Sequence, residues 1–199
     1  MIKVILFDVD GVLVNGEQFS RRLARDYGVT REISGPFFSE RFPECLRGNA
    51  DLKQELESYL QQWGWQKSVE EFLNYWFTTE HAIDEPLVNA VQQLRQQGIQ
   101  CYLATNQEKY RTEYILEQMG FAQKFDGMFS SAYVGHMKPD AAFFEHIVLT
   151  LDDVQTQEIL FWDDSPQNVA TAREVGLHAE IYRTFADFEK KLSGYLDKS

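Results

Sequence analysis

The sequence predicts an α/β fold: a parallel β-sheet with helices on both faces, plus one inserted α-helical subdomain. Three observations predict it. Short uninterrupted apolar runs end in polar clusters, amphipathic stretches separate those runs, and one long early segment has helical periodicity with no strand run. A strand buried on both faces reads as a continuous apolar run. Strands alternating with amphipathic helices argue for a sheet covered on two sides.

The first strand is Val4-Ile5-Leu6-Phe7, which gives way to Asp8-Val9-Asp10-Gly11. From about Asn15 to Ala82 the rhythm breaks. Phe19, Leu23 and Tyr27 recur at i, i+4 and i+8, and Leu52, Leu56 and Tyr59 or Leu60 make a second stripe. Ser68-Val69-Glu70-Glu71 reads as a capping box that opens a helix carrying Phe72, Tyr75 and Trp76. Residues 15–82 are therefore assigned to a helical insert, and residues 1–14 with 83–199 to the sheet-bearing core.

The core resumes with a helix over 86–97, with Leu87, Val91 and Leu94 on one face, Pro86 in its first turn and Gly98 at its stop. Gln100-Cys101-Tyr102-Leu103-Ala104 is the next strand and runs into Thr105-Asn106. A helix over 139–151 carries Phe143, Ile147 and Leu151 behind Pro139. Glu158-Ile159-Leu160-Phe161-Trp162 is a strand ending in Asp163-Asp164, after which Ser165 can cap a helix that Pro166 begins. Ala179–Tyr182 is a weaker strand, and Phe185, Phe188 and Leu192 line a closing helix.

A chain of 199 residues accommodates one core with a smaller insert and needs no disulfide or metal to fold. Against 19 basic residues stand 31 acidic ones, a net charge of −12 that repels nucleic acid and anionic lipid. An anionic ligand would then require a bound cation and a well-placed lysine. Cys45 and Cys101 are far apart and form no CxxC unit, which fits a reducing compartment. His81, His136, His146 and His178 lack metal-ligand spacing. The apolar run before Asp8 is too short for a signal peptide, and no stretch approaches the roughly 20 apolar residues of a membrane span. A cytoplasmic location is the expectation.

In a parallel sheet, ligands bind beyond the carboxyl ends of the strands. The polar clusters sit at those ends. Asp8 and Asp10, two residues apart, lie on one side if the strand conformation persists, and two such carboxylates repel unless one is protonated or a cation intervenes. Thr105-Asn106 offers a hydroxyl and backbone N–H groups for an anion, or simply an N-cap at Asn106. Lys138 before Pro139-Asp140 is either a solvated charge or the counterion of phosphate or carboxylates. An acidic pair at Asp163-Asp164 is costly between a buried strand and a helix unless it binds a cation, and aspartate oxygens suit Mg²⁺.

Taken in order, Asp8-Val9-Asp10-Gly11-Val12, Thr105 with Asn106, Lys138-Pro139 and Asp163-Asp164-Ser165-Pro166-Gln167-Asn168 resemble the four motifs of the haloacid dehalogenase-like superfamily. The resemblance runs from residue 8 to residue 168. It implies a Rossmann-like core with a helical cap inserted after the first motif, and a phosphatase working on a small phosphorylated metabolite. By the same resemblance Asp8 is the nucleophile and Asp10 the general acid and base. Thr105, the Asn106 backbone and Lys138 hold or balance the phosphoryl group. Mg²⁺ is bound by Asp8, the Asp10 backbone carbonyl and Asp164, with Asp163 either a direct ligand or a support.

Two departures qualify the resemblance. Some relatives carry an acid where this chain has Asn168, a weak Mg²⁺ ligand. Phosphonate-cleaving relatives need an early cap lysine, where this chain has Arg21, Arg22 and Arg25. Asp10 itself is absent from the dehalogenases and favours phosphate chemistry. A phosphosugar mutase shares the core residues and stays open, as does a non-catalytic binding protein on this scaffold, although decay would be expected to remove Asp8 or Lys138. A response-regulator receiver domain orders its acids differently and has no place for the insert. Of the insert's aromatics, Phe37, Phe38, Phe42, Trp63, Trp65 and Trp76, most are expected in its core and a minority at the site.

Overall fold

In a computed structural model of the chain, which describes residues 1–196, five strands form one parallel sheet in the order β3-β2-β1-β4-β5. They are β1 (Val4–Phe7), β2 (Gln100–Thr105), β3 (Gly127–Ser130), β4 (Ile159–Asp163) and β5 (His178–Ile181). β1 is central and pairs with β2 on one side and β4 on the other, Phe7 standing opposite both Leu103 and Trp162. That register puts the ends of β1, β2 and β4 side by side, so Asp8, Thr105 and Asp163 leave the sheet at one edge.

The two-residue period of β1 divides its side chains between two apolar layers. Ile5 and Phe7 pack with Leu87, Val91, Trp162 and Phe188 on one face. Val4 and Leu6 pack with Phe143, Ile147, Phe161 and Val169 on the other. Burial of both faces is why β1 and β4 read as unbroken apolar runs.

The expected helices form as Glu85–Gln96, Pro166–Glu174 and Phe185–Leu196. Ser165 caps the second of these by accepting from the Asn168 backbone. The helix expected over 139–151 is shorter, Ala141–Thr150, because the Asp140 side chain accepts from Ala142 N and caps it there, leaving Pro139 outside. β5 sits one residue earlier than expected. β3 is an addition that the sequence did not suggest. It is four residues long, begins with a glycine and pairs only with β2, too short a run to show a period.

Between β1 and β2 lie helices only. Phe19–Tyr27, Leu52–Gln62 and Val69–Thr79 are the three expected ones, and Ser68 with Glu71 forms the capping box. Leu60 rather than Tyr59 completes the buried stripe. Residues 31–46 coil in three short pieces around buried Phe37. This segment has an apolar cluster of its own, centred on Phe19, Leu56, Phe72 and Trp76. Its two connections to the core cross tightly. Asn15 N donates to Ala82 O at 2.8 Å, Asp84 N to Leu13 O at 2.8 Å, and a Cβ on Gly16 would stand 2.7 Å from the Glu80 carbonyl carbon.

Phe72 is fully buried and meets Phe19 at 5.5 Å and Trp65 at 5.2 Å, centroid to centroid. Phe72→Ala is expected to cost about 3–5 kcal/mol in denaturant unfolding. A loss below about 1 kcal/mol would show that the insert's cluster relaxes around the gap.

Candidate active site

The site begins where β1 stops. Gly11 adopts a left-handed conformation (φ 84°), and Gly11 N donates to Val14 O at 2.9 Å while Val14 N donates to Val9 O at 2.9 Å. This loop turns the chain directly after Asp10. A Cβ on Gly11 would also collide with the Asp164 carboxylate. Glycine is thus required twice over, for its φ and for the approach of a second acidic loop.

Lys138 lies at the centre. Its Nζ stands 2.8 Å from Asp8 Oδ1 and 2.5 Å from Asp163 Oδ2, with lysine and Asp163 side chains almost fully sequestered from water. Asn106 fixes the lysine's backbone reciprocally: its Nδ2 donates to Lys138 O and its Oδ1 accepts from Lys138 N, both at 2.8 Å. The remaining oxygens of Asp163 are also engaged, Oδ1 accepting from Ser165 N at 2.8 Å, and both oxygens accepting from Asn168 Nδ2 at 3.0 Å. Asp164, by contrast, is exposed.

Burial dominates the electrostatics of Asp8 and raises its carboxyl, Asp163 adding to the effect and Lys138 opposing it. Burial works against the Lys138 ammonium, but the two carboxylates outweigh it and hold the lysine above its ordinary value. Desolvation and then the charge of Asp163 raise Asp164. The cluster therefore has more negative charge than one lysine balances. Asp8, Asp163 and Asp164 each offer an oxygen, all within 4.8 Å of one another. An all-carboxylate set with room for hard-cation coordination fits Mg²⁺.

Asp10 occupies the side of this cluster that faces the helical insert. Gln107 Nε2 donates to its Oδ2 at 2.6 Å and to Thr105 Oγ1 at 3.3 Å, so Gln107 joins the ends of β1 and β2. Arg111 Nη2 lies 3.7 Å from Asp10 Oδ1 and 3.9 Å from Glu80 Oε2. Nε and Nη2 of this buried arginine have no hydrogen-bond partner, while Nη1 donates to Phe77 O at 2.9 Å.

All seven predicted site residues, Asp8, Asp10, Thr105, Asn106, Lys138, Asp163 and Asp164, thus gather at one end of the sheet. The N-cap is not Asn106. Glu108 accepts from Tyr110 N and Arg111 N and caps the helix Lys109–Glu117, which frees Asn106 to hold Lys138. Gln107, Glu108, Arg111 and Glu80 escaped the sequence reading. A glutamate followed three residues later by an arginine at a helix start was visible, but their burial was not.

Similarity to known proteins agrees with this geometry. The family described as haloacid dehalogenase-like hydrolase matches residues 2–176. Sesquiterpene phosphatase astK of Aspergillus oryzae is 33% identical over 94 residues, 47% of this chain and 47% of that protein. Bifunctional epoxide hydrolase 2 of Rattus norvegicus is 28% identical over 115 residues, 56% of this chain and 21% of that protein. The chain spans less than half the length of these curated relatives. A HAD family enzyme of Bacteroides thetaiotaomicron superposes with a TM-score of 0.83 at 17% identity, covering 96% of this chain and 98% of that one. Its complex with magnesium and inorganic phosphate gives 0.79 at 18% identity, covering 93% and 96%. At such identity the likeness is one of fold. Among the described residues no helix is long and apolar enough to cross a membrane.

Two outcomes follow from these contacts. Lys138→Ala leaves two buried carboxylates facing each other and is expected to destabilise the fold by about 3–5 kcal/mol near neutral pH; a neutral effect would mean that water, not lysine, screens them. Burial pushes the Glu108 carboxyl up to about 7 from an ordinary 4.5. The folded state thus favours the protonated form, and stability falls as pH rises through that window. Glu108→Gln removes this residue's share of the slope, so wild type should lose stability relative to the variant between about pH 4.5 and 7; parallel thermal-unfolding profiles would contradict this.

Proposed function

The chain belongs to the haloacid dehalogenase-like hydrolases, and from that premise we propose that it is a magnesium-dependent phosphatase hydrolysing a small phosphomonoester through an aspartyl-phosphate. The observation that carries the proposal is the buried Lys138 bridge between Asp8 and Asp163, with Asp164 and Asp10 on either side. In support stand the phosphatase among its relatives and the structural neighbour holding magnesium and inorganic phosphate.

In this reading residues 15–82 are the cap and the remainder the catalytic core. Lys138 and the Val9 backbone N–H both bind Asp8 Oδ1, which leaves Oδ2 for attack. Oδ2 bonds to phosphorus as the bond to the leaving oxygen breaks, and Asp10 gives that oxygen its proton. Gln107 holds Asp10 in place for this transfer. Thr105 Oγ1, the Asn106 backbone N–H and Lys138 hold the phosphoryl oxygens. Asp10 then takes a proton from water, whose oxygen attacks phosphorus, and phosphate leaves with Asp8 regenerated. Asp8, the Asp10 carbonyl and Asp164 would hold the metal, with Asp163 in support because its oxygens are occupied by protein donors. Bound there, Mg²⁺ supplies the charge that lets an anionic nucleophile meet an anionic substrate.

The two buried thiols suit a reducing compartment such as the cytoplasm.

Phosphate release from a generic aryl phosphate is expected to require Mg²⁺ and to stop on chelation. Asp8→Asn should abolish it, and Asp10→Asn should lower kcat by about 10²–10⁴-fold. A wild type as inert as Asp8→Asn across a panel of phosphate esters would favour a binding protein. Isomerised phosphosugar with little free phosphate would mark a mutase.

A further inference from the structure

A cavity of about 350 Å³ opens beside Asp10, on the side where the leaving group of a phosphoester would lie, and extends under the cap. We propose that it takes an apolar alcohol, aryl or branched alkyl, as the organic half of the substrate. This rests on the phosphatase reading of the site.

Five rings line the cavity, those of Phe19, Phe38, Phe42, Trp76 and Phe77. Phe19 stacks on Trp76 at 4.8 Å, and Phe38 and Phe42 meet the same indole at 5.4 and 5.3 Å. Phe37, adjacent in sequence, is fully buried, yet Phe38 and Phe42 remain only half-buried. Their uncovered ring surface faces a cavity within the range typical of small-ligand sites. Apolar surface left open inside such a cavity gains most from an apolar ligand.

The glutamate carboxylates on the same walls are committed elsewhere. Glu80 Oε1 accepts from Phe19 N at 3.3 Å, and its Oε2 accepts from Trp76 Nε1 at 3.1 Å. Both oxygens of Glu108 are used by the backbone of its helix, while Arg111, 3.7 Å from Asp10 and 3.9 Å from Glu80, keeps Nε and Nη2 without a hydrogen-bond partner. Gln18, Ser20 and Arg31 also border the cavity, and of these Gln18 and Arg31 are exposed. The ring faces offer a sugar's hydroxyls no partners, so hydroxyls set against them lose water without replacement, a cost that an apolar group avoids. A quaternary ammonium is the other ligand that rings attract. Here Phe38 meets Trp76 edge-on at 84°, so the two present no pair of parallel faces to a cation, and the Arg111 guanidinium already stands 5.3 Å from the Phe77 centroid.

The test compares phosphonates, which bind without turning over, by calorimetry with the Mg²⁺-loaded protein. 3-Phenylpropylphosphonate is expected to bind at least about tenfold more tightly than methylphosphonate, the gain from burying one ring. Phe38→Gln and Phe42→Gln, both at half-buried positions, should each shrink that ratio severalfold. Equal affinity for the two phosphonates, or a ratio unchanged in both folded variants, overturns the proposal, and so does tighter binding of phosphocholine or of a hexose phosphonate. Hydrolysis of acetyl phosphate, whose leaving group is too small to reach the rings, is measured alongside. Its absence together with a retained phenylpropyl preference would sink the phosphatase reading and leave the apolar pocket supported.

Discussion

One buried ammonium organises this end of the molecule. Lys138 is held between Asp8 and Asp163, which leave adjacent strands β1 and β4. Neither carboxylate could be buried there alone, because an unpaired ion in a low-dielectric interior costs several kcal/mol. The lysine therefore determines what the strand ends can be. Its position is fixed in turn through the backbone, by the two-way amide contact with Asn106 at the end of β2. Three strand ends are tied by one residue, two through its side chain and one through its backbone, and the excess negative charge remaining around Asp8 and Asp164 is what a divalent cation would neutralise.

The second constraint lies at the crossing between core and insert. Gly16 passes so close to Glu80 that a side chain there would strike its backbone, and Glu80 turns its carboxylate inward toward Phe19, Trp76 and Arg111. Arg111, on the core helix, lies within ion-pair distance of Asp10. A continuous set of charges thus runs from the connection at Glu80 to Asp10. Further contacts tie the two parts elsewhere: Tyr110 Oη donates to Asp51 Oδ2 at 2.8 Å, and Lys109 pairs with the same carboxylate. Cap position and Asp10 orientation consequently share residues.

Much of this was legible in the sequence because the chemistry is local. Val4–Phe7 and Ile159–Asp163 are apolar on both faces, so their ends announced themselves as changes from apolar to acidic. Ser68 with Glu71 declared a helix start through a spacing that the capping box requires. What escaped depends on tertiary contact. β3 has four residues and no period, and exists because β2 supplies its hydrogen-bonding edge. Glu108, not Asn106, caps the helix after β2, since Asn106 finds a better partner 32 residues away at Lys138. Gln107, Glu80 and Arg111 are ordinary polar residues in sequence and acquire meaning only through burial. Among the aromatics, Phe37, Trp63 and Trp65 are core, Trp76 is both core and cavity wall, and half-buried Phe38 and Phe42 border the cavity, a division that depends on how residues 31–46 coil.

The central claim is that the carboxylate held by Lys138 at the end of β1 accepts a phosphoryl group. Acid quenching during turnover of acetyl phosphate with Mg²⁺, followed by borohydride reduction and peptide mass spectrometry, tests it directly. The account predicts reduction of Asp8 to homoserine, dependent on Mg²⁺ and on substrate. Phosphate release with Asp8 unmodified, or with the label on another acid, would contradict it.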